Sequence, residues 1–147
     1  MTASQRTTLA AFKDIKNTMM HFQYPDVYRD TAQSLFRKYA PSMRGRSTLS
    51  IVAACVFLAC RMHKTPRTIK EIATITGADF KEITRCIKKL KTLAPDLKLA
   101  APSNDTFLPR YCHELHLHVR IVAAARHVIA QCEKLGLAQG CAHSIIN

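Results

Sequence analysis

The histidines His113, His116 and His118, with His127 further along, have the residue type and the three-residue step that can bring two imidazoles to one side of a helix and onto a metal ion. Leu115 and Leu117 interrupt the group, and no Asp, Glu or Cys completes a convincing ligand set. Surface imidazole is therefore the preferred reading, and no metal is called for. Cys112 beside His113 pairs a nucleophile with a base by type only. Adjacent helical residues diverge, and no third group is at hand to orient the base. The sequence holds no glycine-rich phosphate loop, no paired-carboxylate motif and no nucleophile elbow. It offers no catalytic centre and asks for no cofactor, so the expectation is a protein that is not an enzyme.

What it does offer is positive charge. In Arg44-Gly45-Arg46-Ser47 the glycine lets the backbone bend closely while two guanidinium groups flank it, and guanidinium engages phosphate oxygens in pairs. Alone, this turn reads equally well as a solvated loop whose arginines cap neighbouring helix ends. It does not stand alone. The chain carries 22 Lys and Arg against 10 Asp and Glu, and residues 37–98 hold fourteen of the basic and four of the acidic groups, so +10 of the +12 net charge lies there. Arg67, Lys70, Lys81, Arg85, Lys88, Lys89 and Lys91 belong to that segment. A concentrated basic surface attracts a polyanion or an acidic protein by long-range steering and, at nucleic acid, by counterion release.

The elements that must position these cations are helical. Apolar residues make up 48% and charged residues 22% of the 147, which suits a packed core. With 4 Gly, 6 Pro and no Trp, an all-β fold of many tight turns is excluded. Leu9, Phe12, Ile15, Met19 and Phe22 recur at helical spacing. Tyr24-Pro25-Asp26 breaks that pattern, and Val27, Thr31, Leu35 and Phe36 mark a second helix to about Tyr39. Ser47 or Thr48 can cap a third helix, whose run Ile51 to Cys60 is apolar on every side and must be surrounded by others. Ten residues fall short of the about twenty a membrane-spanning helix needs. Thr68 and Glu71 form a capping box for a short fourth helix that Gly77 ends, and Asp79 with Glu82 repeats the signal for a fifth. Phe80, Ile83, Ile87 and Leu90 face inward on that fifth helix, leaving Lys81, Arg85 and Lys88 together on an outer face. Two short helices joined by a glycine turn, the second basic, give the pattern of a helix-turn-helix.

Residues 98–104 read as a linker. Beyond them, Asp105 to Leu115 gives a short helix with Pro109 near its first turn, and Val119 to Leu135 a longer one with exposed apolar residues. Cys55, Cys60, Cys86, Cys112, Cys132 and Cys141 contain no Cys-x-x-Cys pair, so reduced core thiols in an intracellular protein are expected rather than disulfides or a zinc ribbon. No export signal is visible.

Four motifs in register now resemble a known family. Arg44-Gly45-Arg46-Ser47, then Ala53-Ala54-Cys55-Val56-Phe57-Leu58-Ala59-Cys60-Arg61, then Pro66-Arg67-Thr68-Ile69-Lys70-Glu71-Ile72, then Lys81-Glu82-Ile83-Thr84-Arg85-Cys86 are similar to the first cyclin-like repeat of the transcription factor IIB core. Ala11-Phe12-Lys13-Asp14-Ile15 resembles that repeat's first helix, and Asp105-Thr106-Phe107-Leu108-Pro109-Arg110-Tyr111-Cys112 the opening of the second repeat. The resemblance implies an all-α fold: a five-helix cyclin-like domain over residues 1–97, a linker at 98–104, and two helices of an incomplete second repeat over 105–147. It implies a general initiation factor that binds TATA-binding protein and promoter DNA during preinitiation complex assembly and helps recruit RNA polymerase. The location would be the nucleus if the source is eukaryotic and the cytoplasm otherwise, with no membrane partner. Arg44, Arg46, Arg67, Lys70, Lys81, Arg85 and Lys88 are the candidate contacts to DNA or TATA-binding protein. The family's zinc ribbon has no counterpart here, and Gly140-Cys141-Ala142 stands where the family repeats Gly-Arg-Ser, so promoter-complex binding is the leading expected activity, with RNA polymerase as a further partner and no upstream-element readout. The alternative is a cyclin-like protein-interaction adaptor that does not bind DNA and uses an apolar docking groove.

Overall fold

A helix with no polar side has to be enclosed, and the fold is arranged around the one that meets this description. The computed structural model describes residues 2–97, 99 and 104–137. Among these lie seven α-helices and no strand: α1 (Ala3–His21), α2 (Asp26–Tyr39), α3 (Thr48–Met62), α4 (Ile69–Thr76), α5 (Phe80–Leu93), α6 (Asn104–Glu114) and α7 (Val119–Lys134), with a single 3-10 turn at Ala40–Met43. The chain divides into two compact units, Met1–Leu99 and Ala100–Asn147.

In the first unit α3 packs against α1, α2, α4 and α5, and every residue from Ser50 to Cys60 is buried. Five of these are Ala or Cys, small enough to let neighbouring backbones approach, while Val52, Val56 and Leu58 fill the space between. Ile15 and Met19 of α1, Leu35 and Phe36 of α2, Ile72 of α4, and Ile83, Ile87 and Leu90 of α5 complete the core. Leu9 and Val27 depart from the expected inward stripes, at 63% and 56% exposed. Each sits toward the start of its helix, and Ala11 and Ala32 turn inward instead.

Local signals set the helix ends. Thr68 accepts from the Glu71 amide at 3.2 Å and Glu71 Oε2 accepts from the Thr68 amide at 2.7 Å, so both halves of the capping box form. Gly77 then stops α4 at φ +71°, a left-handed turn that only glycine takes without strain. At α5 only half of the expected box forms. Asp79 Oδ2 accepts from the Glu82 amide at 3.0 Å, while the Glu82 carboxylate is drawn elsewhere. Ser47 precedes α3 without a side-chain cap.

An aromatic column ties three helix ends together. Tyr24 stacks on Tyr28 at 4.5 Å between centroids, Tyr28 stacks on His63 at 4.3 Å, and Phe22 lies 5.7 Å from Tyr24. Thr31 Oγ1 lies 2.8 Å from the Val27 carbonyl and also 2.8 Å from His63 Nε2, so the hydroxyl links the first turn of α2 to the end of α3.

In the second unit α6 packs on α7, and Arg126 Nε donates to Asp105 Oδ1 at 2.9 Å. Pro109 lies inside α6 rather than in its first turn, so the helix forgoes one interior amide bond. His118 is the N-cap of α7, its Nδ1 accepting from the Arg120 amide at 3.2 Å. None of the residues of α7 is fully buried; Val119, Val128 and Leu135 are exposed, and Val122 and Ile129 half-buried. Most of the expected linker and the Gly140-Cys141-Ala142 segment lie outside the described residues.

Candidate nucleic-acid interface

The loop between the 3-10 turn and α3 brings Arg46 to the start of α5. Met43 O accepts from the Arg46 amide at 3.3 Å, and Gly45, at φ +83°, makes the bend. Arg46 Nη1 then lies 3.2 Å from Glu82 Oε2, while Arg85 Nη1 donates to Oε1 of the same carboxylate. The two guanidinium groups hold the Glu82 carboxyl below the usual range, by hydrogen bonds from Arg85 first and Arg46 second. Two arginines from separate elements thus converge on one anion, as they would on the oxygens of a phosphate.

Lys81 and Lys88 lie on the outer side of α5 with Arg85, all three exposed, as the spacing predicted. Arg44 is also exposed and shares with Arg46 the wall of a hollow beside α1 and α2. Arg44, Arg46, Lys81, Arg85 and Lys88 therefore occupy the loop and the helix that the Glu82 bridge joins.

Arg67 is placed differently. Its guanidinium lies 4.5 Å from the Phe22 ring centre and 5.2 Å from that of Tyr24, its Nε donates to the Tyr24 hydroxyl at 2.8 Å, and it pairs with Glu71 at 3.5 Å. With its side chain only 14% exposed, its visible work is to close the aromatic column. Lys70 is exposed on α4 and makes no ion pair among the described residues.

The opposite ends of α3 and α5 carry two cations that were not among the candidates. Arg61 is pushed below its ordinary pKa by burial, and Lys91 is pushed down by burial first and by the Arg61 charge second. Arg46 meets Glu82 where α3 and α5 begin, and Arg61 is felt by Lys91 where they end, so the two helices run side by side in the same direction. The signal was present in sequence only as two basic residues at corresponding helix ends.

The thiols beneath this surface are not nucleophiles. Burial raises Cys55 and Cys86 above the ordinary thiol range, which keeps them protonated at neutral pH. Among the described residues no three His, Cys, Asp or Glu side chains come together to hold a metal, and no helix is long and apolar enough to cross a membrane.

A five-helix domain wrapped around α3, with a basic outer α5, defines the class of protein. The family profile described as the transcription factor TFIIB repeat matches residues 4–93. The chain is 38% identical over 138 residues to Transcription initiation factor IIB of Dictyostelium discoideum, a match covering 92% of this chain and 42% of that protein. It is 34% and 33% identical over 143 residues to the proteins of that name from Xenopus laevis and Homo sapiens, covering 95% of this chain and 45% of each. The chain belongs to the transcription factor TFIIB repeat family. It spans less than half the length of these curated relatives.

Proposed function

We propose that the chain is a non-enzymatic initiation-factor core module of the IIB type, which docks on TATA-binding protein and promoter DNA in assembly of the preinitiation complex in a eukaryotic nucleus. Residues 105–147 are read as the start of a second cyclin-like repeat. The observation that carries the proposal is the convergence of Arg46 and Arg85 on Glu82, flanked by the outward Lys81 and Lys88. Such a surface binds phosphate oxygens and carboxylates without reading bases, because it presents charge and guanidinium geometry rather than a groove-inserted element. Arg44, Arg46, Lys81, Arg85 and Lys88 are the proposed contacts, with Lys70 in a peripheral position; Arg67 acts by holding the domain together.

The test is a gel-shift assay with TATA-binding protein and a promoter duplex at several salt concentrations. The proposal expects weak binding to duplex alone, a clear ternary complex, and a log-log salt slope of about −3 to −4 for three or four phosphates neutralised. A chain that never joins the complex of TATA-binding protein with DNA, at any salt, contradicts it.

A further inference from the structure

The column of Tyr24, Tyr28 and His63 ends in an imidazole that is only partly used. Tyr24 is occupied by Tyr28, Phe22 and the Arg67 guanidinium, and Tyr28 lies between Tyr24 and His63. Among the described residues, by contrast, His63 has no ring or cation against it other than Tyr28, and its Nδ1 has no hydrogen-bond partner. The planes are inclined by 22° between Tyr24 and Tyr28 and by 30° between Tyr28 and His63, so the stack can be continued by one more ring.

The stack is also held rigid. The Tyr28 hydroxyl accepts from Thr65 Oγ1 at 3.0 Å, and the Tyr24 hydroxyl accepts from Arg67 Nε at 2.8 Å and donates to the Thr65 carbonyl at 3.3 Å. His63 is tied to Thr31 by its Nε2. Rings fixed in this way lose little freedom when another is added.

The surroundings point to the kind of ring. His63 is half-buried, and Lys64 beside it is exposed and makes no ion pair among the described residues. Val27 and Met62, the chain neighbours of Tyr28 and His63, are exposed apolar side chains. Asp26 and Asp30, on the same helix as Tyr28, are both taken by Arg29, at 2.8 and 3.0 Å. A free imidazole face, apolar neighbours and an unpaired cation together suit a flat ring that carries a phosphate.

We propose that the outer face of His63 stacks an unpaired base of single-stranded DNA, with Lys64 against the adjoining phosphate and Nδ1 at the base edge. A base inside a duplex already has a ring on each face, so this site selects an open strand, whereas the basic face of α5 presents only charge. An aromatic side chain of a protein would use the ring and leave Lys64 without its anion. The proposal does not depend on docking to TATA-binding protein.

The experiment titrates the full chain into a short strand of abasic deoxynucleotides that carries a single 2-aminopurine, whose emission is quenched when it stacks; a wholly abasic strand is the control. The expected result is quenching on binding and an affinity about tenfold above that of the control. His63→Ala should abolish the quenching and bring the two strands to equal affinity, while His63→Tyr, which keeps a ring, retains both effects. Lys64→Glu should weaken binding of both strands about threefold or more. The Tm of each variant is measured alongside, and His63→Tyr separates loss of the ring from loss of the fold. Quenching that persists in His63→Ala, or equal affinity of the wild-type chain for the two strands, overturns the proposal. A neutral tryptophan peptide that binds tighter than the strand and loses affinity in His63→Ala also overturns it and assigns the ring to a protein partner. Tenfold tighter binding of the ribose form of the strand overturns the assignment to DNA. Quenching at saturation should survive Lys88→Glu, so failure of the α5 surface to bind leaves this result standing.

Discussion

Arg46 Nη1 lies 3.2 Å from Oε2 of Glu82, a residue 36 positions further along the chain, and that carboxylate also takes Arg85. Glu82 therefore holds in place two groups that an incoming phosphate would use, and also competes with it.

Glu82→Gln removes one negative charge and releases both guanidinium groups, and binding to duplex DNA is expected to tighten about threefold to tenfold at low salt. Titrating a labelled duplex with the variant checks this. The same substitution has a pH signature. Because the folded-state pKa is depressed, the contribution of the carboxylate to stability is complete above its unfolded value of about 4.3 and is lost as pH falls through the lowered folded value. Urea midpoints measured from neutral to acid pH should fall less steeply for the variant.

Arg67→Ala should cost about 1–3 kcal/mol, through loss of two ring contacts and the bond to Tyr24. Arg67→Lys should recover only part, since an ammonium lacks the planar fork. Denaturant unfolding measures the loss, and duplex binding by the folded fraction should be unchanged. A loss of binding without a loss of stability would return Arg67 to the contact surface.

Gly77→Ala tests a backbone requirement in isolation. An added Cβ meets nothing within 4 Å, so the expected cost of about 1–2 kcal/mol is that of φ +71° alone. Thermal unfolding should show the lowered Tm with DNA affinity intact.

Leu58→Ala empties a fully buried position in the enclosed helix and should cost about 2–5 kcal/mol in urea unfolding.

Sequence made the helices legible wherever the cause was local. The Thr68 and Glu71 box, the left-handed Gly77 and the all-apolar α3 each depend on residues a few positions apart, and the all-α fold follows from them. What was not legible arises where distant segments meet. Glu82 reads as a capping residue beside Asp79, but its carboxylate is taken by an arginine from another element. Arg67 reads as one more cation in a basic stretch, and only the meeting of Phe22, Tyr24, Tyr28 and His63 shows its structural role. Leu9 fits the helical period but lines a hollow beyond the edge of the core. Pro109 reads as near the first turn of its helix, but α6 begins one residue earlier, at Asn104, and the proline falls in the second turn.

The most direct measurement is the fraction of TATA-binding protein and promoter duplex shifted into a ternary complex by wild-type chain and by the combined Lys81→Glu, Arg85→Glu and Lys88→Glu variant. The three side chains are exposed, so the variant should stay folded, its Tm lowered only by loss of the Arg85–Glu82 pair, while its affinity for the binary complex falls by a factor of about 100 or more. Assembly by the folded variant at wild-type affinity would show that the outer face of α5 is not the docking surface.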